Sequence, residues 1–157
     1  MVMIMKKNLY LTVIFLCYFN TLFAAGDFTK MKPIDVEIEM KSSNNVHVFS
    51  PNRIRLETGK LYKIMLFNNS NEKHYFSSKK FAESVFTRKV QILKDGKKIA
   101  EVKGIIAEVE VFPFSVIEWW VVPIRTGRFD DLHCHVKDEK TGKTHNQLGM
   151  NGVISIY

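Results

Sequence analysis

VHVFSPNRIRLETGKLYKIMLFNNSNEKHYF, residues 46–76, is the stretch that decides the fold. Within it Ile54 and Leu56 alternate with arginines, and Tyr62, Ile64 and Leu66 alternate with Lys63, Met65 and Phe67. Period-two alternation places one set of side chains on a single face, the pattern of a half-buried strand. Ser50-Pro51-Asn52, Thr58-Gly59-Lys60 and the polar run Asn68-Asn69-Ser70-Asn71 separate these segments and carry turn chemistry. The same grammar continues on both sides. IDVEIEM at 34–40 alternates strictly, and further strands are read at VQIL (90–93), KIAEV (98–102), IIAEVEVFP (105–113), SVIEWWVVP (115–123), DDLHCHV (130–136) and NGVISIY (151–157). Only KKFAESVFT (79–87) has helix-like apolar spacing, at Phe81, Val85 and Phe86, and it is too short to be more than a loop helix. Short strands spaced by Gly, Pro and Asn turns predict an all-β sandwich of about eight strands, with the C-terminal strand closing an edge of the core.

The N-terminal segment reads differently. Lys6 and Lys7 precede an apolar run from Leu9 to about Phe23, followed by Ala24, Ala25 and Gly26. That order is an export signal, so residues 1–25 are expected to be removed and residues 26–157 to form one exported domain, periplasmic or secreted. The run is shorter than the ~20 apolar residues of a spanning helix, so no stable membrane insertion is expected after cleavage. The chain carries a formal net charge of +7, of which Lys6 and Lys7 supply two. No basic stripe interleaved with aromatics is present, which argues against nucleic-acid binding. Outside the signal one cysteine remains, Cys134. A lone thiol in an oxidising compartment cannot form an internal disulfide, and metal coordination is one way to occupy it.

LHCHVKDEKTGKTHNQLGM, residues 132–150, gathers three of the five histidines, that cysteine and Met150. On a strand Cys134 faces one way while His133 and His135 face the other, so these three do not share one ion. His145 and Met150 follow through a turn-rich loop that can fold back. A thiolate, an imidazole and a thioether form a soft ligand set that suits copper, and two histidines with a cysteine and a weak axial methionine make a type 1 copper geometry. His74, in the loop after the Tyr62–Phe67 segment, fits as the second histidine. Cysteine with two histidines is also a credible zinc set, although Met150 would then have no reason to join. His47 is read as a strand-face residue with no metal role. Asn68-Asn69-Ser70 matches a glycosylation acceptor, a frequent chance match.

From Phe49 to Tyr157 the chain resembles the cupredoxins, the plastocyanin and azurin family of single-domain blue copper proteins. The resemblance rests on residues 49–76 and on the series Cys134, His145, Gly149-Met150, Gly152 ending in VISIY. It implies a cupredoxin-like Greek-key β-sandwich holding one type 1 copper near one end, with His74 and His145 as nitrogen ligands, Cys134 as thiolate and Met150 as axial thioether. The ten residues between Cys134 and His145 make a longer loop than the family's. His133-Cys134-His135 also resembles the HCH motif of multicopper oxidases, whose flanking histidines serve an oxygen-reducing cluster. That cluster needs further histidine pairs, and only His47 is left to offer. The expectation is therefore a one-electron carrier, with a cytochrome or oxidase as redox partner, and no enzyme. The alternative is a copper sequestration or delivery protein, meeting a copper-handling partner, in which His133 and His135 would form a second copper site.

Overall fold

The computed structural model describes residues 27–157; the signal segment expected at 1–25 lies outside them. The sandwich is one compact unit, residues 31–157. Among the described residues no helix is long and apolar enough to cross a membrane.

Among the described residues eleven strands and one short helix follow in order: β1 (Ile34–Ser43), β2 (Val46–Ser50), β3 (Arg53–Leu56), β4 (Tyr62–Asn68), β5 (His74–Ser77), α1 (Lys79–Ala82), β6 (Val85–Lys94), β7 (Lys97–Val102), β8 (Glu108–Val111), β9 (Val116–Pro123), β10 (Gly127–His133) and β11 (Asn151–Ile156). They form a six-stranded sheet in the order β2-β1-β4-β9-β6-β7 and a five-stranded sheet in the order β3-β11-β10-β5-β8. The β1–β4 and β3–β11 pairs are parallel, the other strand pairs antiparallel. This is a β-sandwich, as the alternation predicts, of the cupredoxin-like kind that the resemblance implies, with eleven strands among the described residues rather than about eight.

Alternation becomes burial wherever a strand has one face on the core. Tyr62, Ile64, Leu66 and Asn68 of β4 point inward. β9, flanked by β4 and β6, is buried almost throughout its length. Trp119 is fully buried and packs edge-on against Phe76 and Phe81, at centroid distances of 6.1 and 5.5 Å. Trp120, on the other face of β9, lies under Lys89, whose ammonium sits 4.3 Å from the ring centroid.

Two local expectations differ from the structure. The helix ends at Ala82, and Val85 onward enters β6 opposite β9. Ser78 caps the helix, accepting from Phe81 N–H at 3.3 Å, and Asp131 accepts from both the Ser78 hydroxyl and Lys80 N–H. The C-terminal strand is not an edge: β11 lies between β3 and β10. Gly152 permits this, because a Cβ there would stand 2.5 Å from the Asn52 carbonyl oxygen and 2.9 Å from Leu132 Cδ2.

Candidate metal centre

His74 is the first residue of β5, where pairing with Val111 of β8 fixes its place, rather than a loop residue. Cys134 follows directly on the end of β10, and the strand alternation persists past it: Cys134 is buried, His133 partly covered and His135 exposed. The Tyr75 N–H donates to the Cys134 sulfur at 3.3 Å, tying the thiol to the His74 strand.

The long segment after Cys134 is a hairpin that returns to its origin. Lys137 and Thr144 form an antiparallel bridge, and the His145 N–H donates to Val136 O at 2.7 Å. Asn146 N–H then donates to Cys134 O, Met150 N–H to His145 O, and Cys134 N–H to Met150 O, at 2.8, 2.8 and 3.1 Å. The backbones of Cys134, His145 and Met150 are thus knit into one turn despite the ten intervening residues. All three side chains, and that of His74, are fully buried.

His74 Nδ1 and His145 Nδ1 are 3.1 Å apart, and the Cys134 sulfur is 3.6 Å from the second and 4.0 Å from the first. Those separations match two bonds of about 2.0 Å to nitrogen and one of about 2.3 Å to sulfur diverging from a common centre. The outer imidazole nitrogens face oxygen atoms away from this centre. His74 Nε2 meets the Ser70 and Ser42 hydroxyls at 2.8 and 3.1 Å, and His145 Nε2 lies 3.1 Å from Glu72 Oε2, though without hydrogen-bond alignment. With the outer nitrogens protonated toward these oxygens, both Nδ1 lone pairs face inward, the tautomer a metal requires. Ser70 is itself positioned by the buried Asn68, whose amide bonds Glu72 O and Val111 O at 2.7 and 2.8 Å. That amide is consumed by the fold, so the glycosylation match at Asn68 has no accessible nitrogen.

The electrostatics prepare the same outcome. Burial, reinforced by the charges that His145 and His47 would carry, lowers the His74 pKa to about 3. Burial and then His47 lower His145, with Glu72 and Asp138 opposing. Burial raises the Cys134 thiol, partly offset by N–H groups of Tyr75 and Val136. Binding an ion therefore meets unprotonated imidazoles and displaces one thiol proton.

His47 is a strand-face residue, as read, but its face is the inward one, beside the candidate ligands. It is 2 % exposed, shares the inward face of β2 with Phe49, and stacks on His145 with centroids 3.8 Å apart and planes 10° from parallel. His47, His74 and His145 form a buried three-histidine group, and His47, Glu72 and Asp138 a second group able to hold a metal ion. The alternation in VHVFS, with His47 in phase with Phe49, was a signal for its burial. Glu72 and Asp138 left none, being acids in polar turns. His133 and His135 stay apart from this centre. His133 Nδ1 bonds Asp131 O at 2.8 Å, while His135 leans on Tyr75 at 4.3 Å.

No family model and no curated protein matches the sequence. Solved structures do resemble the fold. A multicopper oxidase from Campylobacter jejuni, described as a metallo-oxidase, aligns with a TM-score of 0.55 at 18 % identity, over 80 % of this chain and 30 % of that one. A multicopper oxidase from Pediococcus acidilactici gives 0.56 at 17 %, over 80 % and 26 %. A copper-containing nitrite reductase from Thermus scotoductus gives 0.52 at 14 %, over 80 % and 31 %. The chain spans under a third of each. At these identities the likeness is one of fold: a cupredoxin-like domain as multicopper enzymes build it, not specifically a plastocyanin or azurin type of carrier.

The expectation that the chain is no enzyme does not stand. It rested in part on the lack of a second metal set, and His47, Glu72 and Asp138 form a group that could hold a metal ion. The fold is also shared by domains of catalytic copper proteins.

Proposed function

We propose that this chain binds one copper ion through His74, Cys134, His145 and Met150, and that it takes up and hands on copper in the compartment outside the inner membrane. The observation that carries this reading is the convergence of two buried imidazole nitrogens and one buried thiol sulfur within 4.0 Å of one another. Thiolate, thioether and imidazole together select copper over harder ions. What lies between this cage and solvent favours handling of the ion over simple shuttling of an electron. Both imidazoles are fully covered, and the side chains beside His145, those of His47, Glu72 and Asp138, are of types that could themselves hold a metal ion. The export signal read in residues 1–25 supports the location, and a copper-handling protein is the partner this reading requires.

One-electron chemistry at the same copper is the second reading, favoured by the cysteine with two histidines held rigidly by β5, β10 and the 137–144 hairpin. A cytochrome or oxidase would then be the partner, and the adjacent carboxylates leave room for catalytic use of the centre.

The test is a titration of residues 26–157 with Cu(II), followed by visible absorption and EPR, then by competition with a chelator. One equivalent with an intense thiolate-to-copper band and transfer to the chelator within minutes is the expected result. No band at any copper ratio refutes the inner site. A band that resists the chelator for hours, with reversible reduction, replaces copper handling by electron transfer.

A further inference from the structure

We propose that His47, Glu72 and Asp138 form a second cation site, for a divalent transition-metal ion, on the outer face of the His145 ring. Each can place one ligand atom within 4.8 Å of the other two. His47 Nδ1 is engaged with Ser42 Oγ at 2.8 Å, whereas its Nε2 is buried, has no hydrogen-bond partner and lies 4.0 Å from Asp138 Oδ2. A buried imidazole nitrogen left without a partner is costly, and a metal ion relieves the cost.

The carboxylates are placed for the same role. Asp138, 5 % exposed, spends Oδ1 on the Thr141 N–H and hydroxyl, both at 2.6 Å, which leaves Oδ2 turned to His47. Glu72, which can place an oxygen within 4.8 Å of ligand atoms of both His47 and Asp138, also has Oε2 3.1 Å from His145 Nε2, so one carboxylate adjoins both the proposed site and a ligand of the inner cage. Contraction of side chains by about 1 Å brings these atoms to metal-bonding distances. One imidazole and two carboxylates suit a borderline dication such as Cu(II) or Zn(II), a harder set than the thiolate cage behind it. Access exists: His47, Glu72 and Asp138 line a solvent-open pocket of about 480 Å³ with Ser42, Asn71 and, at its rim, Lys140.

Stacking of His47 on His145 makes this the station through which an incoming ion reaches the inner cage. That role, unlike the site itself, rests on the copper-handling reading above.

Zn(II) titrated calorimetrically into protein whose inner cage holds Cu(I), or into C134S if Cu(I) is not retained, should bind one equivalent. X-ray absorption should give a shell of nitrogen and oxygen only. His47→Gln and Asp138→Asn should each weaken Zn(II) at least tenfold. Zinc binding that neither substitution changes, or a shell containing sulfur, overturns the site, as does the absence of binding to wild type. Because the wild-type stoichiometry and shell are independent of the variants, misfolding of either variant leaves the test intact. For the station role, D138N should slow growth of the thiolate-to-copper band at least tenfold without altering its final intensity. An unchanged rate overturns that role, and failure of the band in wild type overturns the copper reading while leaving the zinc result to stand.

Discussion

Acid should unfold the metal-free protein through His74. Its imidazole is fully buried and titrates at about 3, against 6.5 for an unhindered histidine. Between those values the unfolded chain holds a proton that the folded chain refuses. The contribution to stability is therefore fully present above pH 6.5 and is lost progressively as pH falls toward 3. At about 1.4 kcal/mol per tenfold change in proton affinity, the whole difference is on the order of 5 kcal/mol, comparable with the total stability of a small domain. His145, lowered by burial and by His47, acts in the same direction. Urea unfolding followed by the fluorescence of Trp119 and Trp120 at pH 7.5, 6, 5 and 4 measures the slope. His74→Gln removes the titrating group and should flatten it by up to about 1.4 kcal/mol per pH unit. Copper on Nδ1 competes with the proton, so the loaded protein should keep its stability to lower pH. Equal slopes in wild type and His74→Gln, or an NMR titration placing His74 above pH 5, would rule out His74 as the acid-sensitive group.

Cys134→Ser should abolish the thiolate-to-copper band and most copper binding, while His133→Ala, altering a side chain bonded to its own strand backbone, should leave the band intact in visible absorption. Ser70→Ala removes the 2.8 Å partner of His74 Nε2 and should weaken copper about 10- to 100-fold in a chelator competition with the fold retained. Gly152→Ala forces a Cβ to within 2.5 Å of the Asn52 carbonyl oxygen and should cost about 1–3 kcal/mol, read as a lower urea midpoint.

The all-β fold class could be read from the sequence alone, and so could the four residues proposed above as the inner copper ligands. Residues 46–76 alternate because each strand there has one face on the core, and that period is local to the chain. Cys134, His145 and Met150 were legible because they fall on one continuous segment, and His74 because a second imidazole was needed. Short elements were less legible: HYFS and VFT became strands because β8 and β9 pair with them, which no local propensity records. The surroundings of the proposed cage, by contrast, come from packing between distant segments. His47 reaches His145 through β2 and the returning 137–144 hairpin, Ser42 arrives at the end of β1, and the backbone of Glu72 is held by Asn68 and Ser70, with its half-exposed carboxylate beside His145. These residues lie up to about a hundred positions apart, and their approach depends on register between strands and on one folded loop. Periodicity reports which face a residue occupies, but only the packed sheets decide which side chains from different faces meet.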